Sequence, residues 1–532
     1  MNSVKSFLKK NISKNIVFYP LLVLFGVLWG LGQQPTFFFI RFFGLIIFLY
    51  VIFYRKHYIL ETLLFGWIAY TFNFYWLFIT FTESGKLPVL FSIAVPAVLC
   101  LYYGLQYPII AFIYKKFHQF NKKILFYSFP IVFVFVDFLF PKIFRHTIAD
   151  SQIGFFPFVQ LIDITGMAGL ILIIMFFNLG LFLLLKKLFN SKKIRVLNFV
   201  FIIPFVLALI YGFIRIEYLQ QEIKKSQSTY AAMIQGNITG KQKLDESYFI
   251  TNVERYNKLT KEAATTGLQP EFIIWPESVF NRSYDGNPEF LQQVIYENYP
   301  PLILGIVVWL GDRATNSALL IRDRYRINQY DKQVLLLFGE YLPFEKSFPF
   351  LRMFTPLRHS STPGNTSSIF QINNVRASLS ICFEDLFPEL NRKKVLEGAN
   401  LMINMTNDSW FGNGLGPLHH SIIARLRGIE NRRSLYRCTA TGFTTASDFT
   451  GKIVAKGNMA TAEVIKARLP LNEKRTIYSY IGELFSYLCI IIVGLILLVI
   501  IREHFINFRI RKVKKHFGHK KIKEKDLKKY IY

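Results

Sequence analysis

Long uninterrupted apolar stretches constrain this chain more than any other feature. Eight such blocks occur, seven before the first extended polar region and one near the C-terminus. Each is about long enough to cross a bilayer as a helix. Hydrophobic residues make up 52% of the chain and aromatic residues 17%, unlike the composition of soluble domains. The sequence therefore predicts a multi-span α-helical membrane protein, with spans near 16–32, 37–54, 59–81, 88–114, 124–140, 167–187, 196–216 and 481–501.

The positions of the basic residues predict how these spans are oriented. Lys and Arg cluster before the first block and in every second connection after it. Because cytoplasmic loops carry the excess of Lys and Arg, we expect the N-terminus in the cytoplasm. The predicted domains are then a membrane domain with seven transmembrane helices (1–216), an extracytoplasmic domain (217–480), a last transmembrane helix (481–501) and a basic cytoplasmic tail (502–532).

Charge and cysteine content argue against two other classes of protein. The net charge is +29, but the basic residues are spread over short connections and the tail, so the pattern does not indicate nucleic-acid binding. Only four cysteines occur, and Cys100 and Cys489 lie in apolar blocks. The sequence therefore predicts neither a disulfide framework nor a CxxC metal site.

The polar region between the last two blocks reads as one large α/β domain. Strand-like runs occur near 230–235, 272–276, 302–307, 317–321, 377–381 and 401–405. Polar helical stretches separate several of them, for example 246–266 and 286–298. This alternation predicts a layered α/β sandwich. The connection 141–166 is too apolar for a solvated loop, and we expect it to pack against this domain.

One strand-like run ends in a candidate nucleophile. Leu379 and Ile381 alternate with serines, and the run stops at Cys382, which Phe383 and two acidic residues follow. A cysteine at the end of a buried strand is rigidly held and faces beyond the sheet edge, as a nucleophile requires. The alternative is a small buried hydrophobic side chain, the ordinary role of a free cysteine.

Two further strand ends carry ionisable residues. Glu277 follows a strand that stops at Pro276, and Lys332 follows the run 330–331. Acyl transfer through a thiol needs a nucleophile, a base and a positive group beside the developing oxyanion. Cys382, Glu277 and Lys332 can supply these three functions in that order. A plain salt bridge between the acid and the lysine is the alternative.

Two alternatives would give Cys382 a different partner. A Cys–His pair could use His359, His419 or His420, although no spacing favours these histidines, which are more often surface or structural residues. A disulfide between Cys382 and Cys438 would remove the nucleophile, but Cys438 lies in a strand-like run of its own. No HExxH motif is present, and no metal is expected.

The motifs resemble the carbon–nitrogen hydrolase (nitrilase) superfamily in sequence and in order. They are 275–277 (WPE), 330–332 (YDK) with 338–340 (FGE), 381–384 (ICFE) and 406–412 (TNDSWFG). Such a domain between seven spans and one span is similar to the bacterial apolipoprotein N-acyltransferases. The resemblance implies an extracytoplasmic αββα nitrilase-like sandwich, and it covers nearly the whole chain except the tail.

The resemblance also implies roles for individual residues. Glu277, Lys332 and Cys382 fall on the family's catalytic triad. Glu340 falls on its additional glutamate near the oxyanion site, and Glu384 on the acid after the nucleophile. Trp410 lies in a region that shapes the site. Two departures affect substrate fit, since Phe383 stands where tyrosine is frequent and 439–442 (TATG) where Asn-rich turns are common.

The function that the resemblance implies is acyl transfer between lipids. The thiol takes an acyl chain from a phospholipid, typically phosphatidylethanolamine, and passes it to the N-terminal amine of diacylglyceryl-cysteine on apolipoproteins. No cofactor is implied, and the location would be the bacterial inner membrane, with the catalytic domain on the periplasmic side. The segment 341–366 is a candidate lid, with Phe348, Phe350 and Phe354 available to contact lipid.

Two other functions remain open at this point. A membrane-tethered amidase or nitrilase acting on a small soluble substrate would share the triad and use water as the acceptor. A non-catalytic membrane scaffold could keep the fold alone, although the intact triad residues argue against it.

Overall fold

The computed structural model describes residues 15–84, 88–122, 125–190, 196–345, 347–349, 360–365, 369–412 and 414–516. Each of the eight apolar blocks contains helix. The helices from the first block to the seventh are α1 (Asn15–Leu31), α2 (Ile46–Tyr54) after a 3₁₀ stretch (Pro35–Phe42), α3 (Tyr58–Asn73), α4 (Trp76–Ile79), α5 (Val89–Gly104), α6 (Gln106–Phe120), α7 (Phe129–Leu139), α8 (Phe156–Val159) in the connection 141–166, α9 (Ile162–Phe189) and α10 (Ile203–Lys225).

Several of these helices are long and apolar enough to cross a membrane. Within the described ranges, five stretches qualify by length and composition: Pro35–Tyr54, Val89–Phe120, Ile162–Phe189, Phe199–Lys225 and Leu484–Ile510. The pair Tyr58–Asn73 and Trp76–Thr82 qualifies together and is bent by 56°. Asn15–Leu31 and Leu125–Leu139 are shorter apolar helices. The prediction of a multi-span helical protein is confirmed, while the count of eight crossings stays a prediction.

Within the described residues, the α/β domain contains twelve strands in two six-stranded sheets, in the orders β12-β1-β2-β3-β4-β5 and β11-β10-β9-β8-β7-β6. The strands are β1 (Ser228–Gln235), β2 (Phe272–Ile274), β3 (Leu302–Leu310), β4 (Arg313–Arg322), β5 (Tyr325–Asp331), β6 (Ile369–Ile372), β7 (Val375–Ile381), β8 (Leu401–Thr406), β9 (Ser434–Thr439), β10 (Thr445–Ser447), β11 (Ile453–Lys456) and β12 (Glu463–Pro470). The helices of this domain are α11 (Gly240–Leu244), α12 (Phe249–Thr265), α13 (Pro288–Val294), α14 (Pro388–Leu396), α15 (Leu415–Asn431) and α16 (Ile477–Ile481), and the apolar helix α17 (Leu484–His516) follows it.

Side-chain alternation along the strands explains the layers. Along β1, Ala231 and Met233 enter the core between the two sheets, whereas Ala232 and Ile234 pack against α12 and α13 on the outer face. Successive side chains of a strand point to opposite faces, so a strand buried on both faces is apolar at every position. On the outer face of the other sheet, Met402 packs with Ala424 of α15. The predicted αββα sandwich is confirmed.

Helix α15 joins the α/β domain to the membrane helices. Ile422, Leu426 and Ile429 of this helix belong to the same apolar core as the membrane helices. Immediately after the helix, the fully buried Arg432 donates from Nε to Asp163 Oδ2 at 2.9 Å and from Nη1 to Gln160 Oε1 at 2.7 Å. The connection 141–166 therefore packs against the domain, as expected.

The pair Asp163–Arg432 tests this attachment. Replacing Asp163 by Asn removes the charge that compensates the buried guanidinium, and losing one partner of a buried pair costs about 3–5 kcal/mol. We expect Asp163→Asn to lower the thermal unfolding midpoint in detergent by several degrees. Glu297→Gln is the control, because its pair with Lys261 is solvent-exposed and contributes about 0–1 kcal/mol. Equal midpoints for the two variants would contradict the attachment.

Candidate active site

Glu277 lies just beyond β2, in a turn that packs tightly on β3. The turn can approach because Gly305 lacks a side chain, and a Cβ there would lie 2.2 Å from the Pro276 carbonyl oxygen. The carboxylate is only 7% exposed. Its Oε1 accepts hydrogen bonds from Asn316 Nδ2 at 2.7 Å and Lys332 Nζ at 3.2 Å. Its Oε2 accepts the backbone N–H of Asn407 at 2.9 Å.

Lys332 follows β5 and is the buried centre of this polar group. Besides Glu277, its Nζ donates to Glu340 Oε1 at 2.8 Å, and the side chain is 1% exposed. Asn316 Nδ2 also donates to Glu340 Oε1 at 2.8 Å, and the backbone N–H of Leu336 donates to Glu340 Oε2. The structure thus brings the sequence-predicted Glu277, Lys332 and Glu340 into one hydrogen-bonded cluster.

The mutual charges decide the protonation states in this cluster. Burial alone would raise the pKa of Glu277, but the charges of Lys332 and Lys243 hold it below its usual value. Burial alone would lower the pKa of Lys332, but Glu277 and Glu340 raise it well above the ordinary lysine range. Glu277 is therefore a carboxylate and Lys332 an ammonium at neutral pH.

Lys243 of α11 is a charged neighbour that sequence reasoning missed. Burial lowers the pKa of this amine to about 8, and its electrostatic partners are Glu277 and Cys382. No motif marks the lysine, because α11 lies far from the three strand ends in sequence and meets them only in the fold.

Cys382 begins a 3₁₀ turn (Cys382–Leu386) directly after β7. Its backbone has a φ of +50°, a left-handed conformation that side-chain-bearing residues rarely adopt and that often occurs at functional sites. Burial and the charge of Glu277 raise the pKa of the thiol well above its usual value, with Lys332 acting in the opposite direction. Cys382 is therefore a thiol, and Glu277 is the charged group that most opposes its ionisation.

Glu384 has a different environment from the triad. It is fully buried, and its oxygens accept the backbone N–H groups of Gln333 at 2.6 Å and Ile381 at 2.8 Å. The hydroxyl of Tyr330 donates to the same carboxylate at 2.8 Å. Glu384 therefore ties the end of β7 to the chain just after Lys332, and it supports the positions of Cys382 and Lys332 from behind.

An apolar pocket surrounds Cys382, and both parts of the protein line it. Phe383, Leu386, Phe411 and Ile423 come from the α/β domain. The membrane domain contributes Trp76, Phe144 and His146. The Trp76 ring lies 5.8 Å from that of Phe144 and 5.3 Å from that of Phe411, measured between centroids. The sequence did not predict this part of the pocket lining, because no motif links Trp76 to the end of β7, more than three hundred residues later.

The other predicted site residues lie at or near the pocket or outside the described residues. Phe383 lines the pocket, while Trp410 lies in the 3₁₀ turn Asp408–Phe411, whose last residue lines it. Phe348 is half-exposed. Phe350, Phe354 and His359 fall outside the described residues.

The histidines are buried rather than exposed. His419 and His420 both lie in the first turns of α15, so of the two expected roles, surface or structural, the surface one does not apply. Burial lowers the pKa of His419 to about 3. His420 reaches the Cys382 carbonyl oxygen, not a contact that would make it the thiol's base.

The alternative of a disulfide between Cys382 and Cys438 is wrong. Cys382 and Cys438 are both free thiols. The Cys438 thiol lies in the core between the sheets, where it contacts the carbonyl oxygens of Ile234 and Ile274. Among the residues that the structure describes, no cluster of His, Cys, Asp and Glu is arranged to hold a metal ion.

Comparisons with known proteins give the family. The sequence profile described as carbon–nitrogen hydrolase matches residues 230–478. The profile described as apolipoprotein N-acyltransferase N-terminal domain matches residues 25–180. The two matched segments coincide with the α/β sandwich and with most of the helices that precede it.

Individual relatives agree with the profiles. A protein from Geobacter metallireducens named apolipoprotein N-acyltransferase is 28% identical over 442 residues, which are 80% of this chain and 83% of that protein. One of the same name from Pasteurella multocida is 25% identical over 528 residues, 93% of this chain and 96% of its own. The solved structure of Saccharomyces cerevisiae Nit3, of the nitrilase superfamily, aligns with 48% of this chain and 93% of its own at 22% identity and a TM-score of 0.36. With both profiles in this order along one chain, the protein belongs to the apolipoprotein N-acyltransferase family of carbon–nitrogen hydrolases.

Proposed function

We propose that this protein moves an acyl chain from a membrane phospholipid, through a thioester on Cys382, to the N-terminal amine of diacylglyceryl-cysteine on apolipoproteins. The observation that carries the proposal is the apolar pocket around Cys382, which membrane helices and the α/β domain build together. A long acyl chain gains about 0.8 kcal/mol for each buried CH₂ group in such surroundings. A small polar amide would gain little there, which disfavours the amidase alternative.

The first half-reaction uses the protonation states of the cluster. Glu277 takes the proton from the Cys382 thiol while the sulfur attacks the sn-1 ester carbonyl of the phospholipid. Lys332 donates to the oxyanion of the tetrahedral intermediate. The intermediate collapses, the ester C–O bond breaks, and the leaving alkoxide takes the proton from Glu277. A lysophospholipid departs and a thioester remains.

The second half-reaction repeats the same chemistry with an amine. The α-amino group of the diacylglyceryl-cysteine attacks the thioester carbonyl, and Glu277 accepts its proton. When the C–S bond breaks, the sulfur recovers the proton from Glu277 and an amide remains. Glu340 accepts a second hydrogen bond from Lys332, while Glu384 fixes the backbone beside both catalytic strand ends.

The wider setting of the reaction is part of the proposal. The relatives are bacterial, and the chain is a bacterial membrane protein. We place the catalytic domain on the periplasmic side and both termini in the cytoplasm, on the basis of the distribution of Lys and Arg. Phosphatidylethanolamine as the donor belongs to the same proposal, and so does contact between lipid and Phe348, which is half-exposed.

Intact-protein mass spectrometry tests the thioester directly. After mixing with phosphatidylethanolamine micelles and no acceptor, we expect an added acyl mass that neutral hydroxylamine removes and that a diacylated lipopeptide discharges. Cys382→Ala should show no such mass. Cys489→Ala is the control, since this thiol lies in α17 and should leave acylation intact. A lack of acyl mass with any phospholipid, on protein with a free Cys382 thiol, would favour the small-substrate amidase.

Glu277→Gln separates proton transfer from thiol reactivity. Losing the base should slow acylation by about 10²–10⁴-fold. The carboxylate charge raises the pKa of Cys382, so its removal should lower that pKa and increase the thiolate fraction at neutral pH. Alkylation by iodoacetamide should therefore become faster while acylation becomes slower. Glu297→Gln, on the surface, should change neither rate. Parallel slowing of both reactions in Glu277→Gln would contradict the assignment of Glu277 as the base.

A further inference from the structure

Behind Cys382 lies a second buried polar cluster that the proposed mechanism does not use. His420 of α15 is at its centre, with Nδ1 at 3.0 Å from Asp408 Oδ1 and Nε2 at 3.1 Å from Asp385 Oδ1. The same Nε2 lies 3.1 Å from the backbone carbonyl oxygen of Cys382. Arg437 donates from Nη2 to Asp408 Oδ2 at 2.9 Å. All of these side chains are less than a tenth exposed.

The contacts of the imidazole fix its charge. Both ring nitrogens face oxygen acceptors, two carboxylates and one carbonyl. A neutral imidazole has only one N–H, so only the doubly protonated ring can donate on both sides. Burial alone would lower the pKa of His420, but Asp385 and Asp408 raise it to about 10. His420 is therefore an imidazolium over the neutral range.

The carbonyl that this imidazolium contacts belongs to a particular peptide group. The peptide bond between Cys382 and Phe383 carries the Cys382 carbonyl at one end and the Phe383 N–H at the other. That N–H lies in the first turn of the 3₁₀ turn Cys382–Leu386, where helical N–H groups have no acceptor within the helix. A donor on the carbonyl polarises the whole peptide group and makes its N–H a stronger donor.

We propose that His420 is a positioning residue for acyl transfer, which acts through the Cys382 carbonyl to strengthen the Phe383 N–H as a donor to the tetrahedral oxyanion. The inference rests on the proposed function. Lys332 supplies one positive group to the oxyanion. The Phe383 N–H of the polarised peptide supplies a second donor, from the backbone directly after the cysteine. No proton leaves His420 during the reaction, since Asp385 and Asp408 keep the ring charged throughout.

A purely structural role for His420 makes a different prediction. The hydrogen bond to Cys382 also holds the left-handed backbone of the nucleophile, with its φ of +50°. If His420 acted only by holding this conformation, its loss would disturb every reaction of the thiol equally. An oxyanion forms when the thiol attacks an ester carbonyl, but none forms when it displaces iodide from iodoacetamide. The two reactions therefore distinguish oxyanion stabilisation from positioning of the sulfur alone.

The test compares these two rates in His420→Gln. The glutamine amide can still donate to the Cys382 carbonyl, but it carries no positive charge. We expect the single-turnover rate of acylation by phosphatidylethanolamine to fall about tenfold at unchanged half-saturation, while the rate of alkylation by iodoacetamide stays within twofold of wild type. His419→Gln is the matched control, because His419 is the preceding buried residue, is neutral and contacts the His146 ring edge-on, with 5.4 Å between ring centroids. It should leave both rates unchanged.

Each outcome decides the question. Equal acylation rates in wild type and His420→Gln would overturn the inference, and so would an equal loss of both rates. His420→Asn is the second variant if the glutamine does not fold. If neither variant folds while His419→Gln does, His420 serves the fold and the inference is abandoned. A wild-type protein that forms no acyl-enzyme would instead refute the proposed function. Iodoacetamide would still alkylate its Cys382 thiol, so this failure differs from a failure of the inference.

Discussion

A buried ammonium ion held between two carboxylates is the interaction on which the rest of the site depends. Lys332 is almost fully buried, and an isolated charge in that position would cost several kcal/mol of desolvation. Glu277 and Glu340 offset this cost only because their oxygens are satisfied: Asn316 donates to the Oε1 atom of each, and the backbone N–H groups of Leu336 and Asn407 donate to the Oε2 atoms. Burial and the charges of Glu277 and Glu340 raise the pKa of the Cys382 thiol, with Lys332 acting in the opposite direction. In the proposed mechanism, Cys382 therefore stays protonated until a substrate carbonyl is in place to accept its electrons.

The sandwich explains how residues so far apart in sequence reach this cluster. Glu277 follows β2 in one sheet, and Cys382 follows β7 in the other, so the two side chains meet at the same end of the packed layers. Glu384 then fixes the separation between sheets, because it accepts backbone N–H groups from Ile381 on one side and from Gln333 on the other. A carboxylate that accepts several backbone bonds holds both chains rigidly, which preorganises the base, the ammonium and the sulfur.

The sequence allowed prediction of the parts of this arrangement that have a local signal. Strands and their ends follow from alternation and from breaks at Pro276 and Cys382, and the motif order places Glu277, Lys332 and Cys382 together. The parts that were missed depend on contacts between distant segments. His420 was expected to be more often a surface or structural residue, because its partners Asp385 and Asp408 precede it by 35 and 12 positions and no periodicity links them. Lys243 and Trp76 were missed for the same reason.

The part of the pocket lining that comes from the membrane domain bears on the choice between hydrolysis and acyl transfer. Without the residues of the membrane domain, the pocket around Cys382 would lack part of its lining. Here Trp76 and Phe144 cover one side of its pocket, and Trp76 is 2% exposed. In the proposed reaction, a thioester in this pocket would be shielded from water by the aromatic rings that line it. The proposed acceptor, an amine anchored in the membrane by two acyl chains, would arrive at the level of the pocket. The contribution of the membrane domain to the pocket therefore supports the proposal of an amine rather than water as the acceptor.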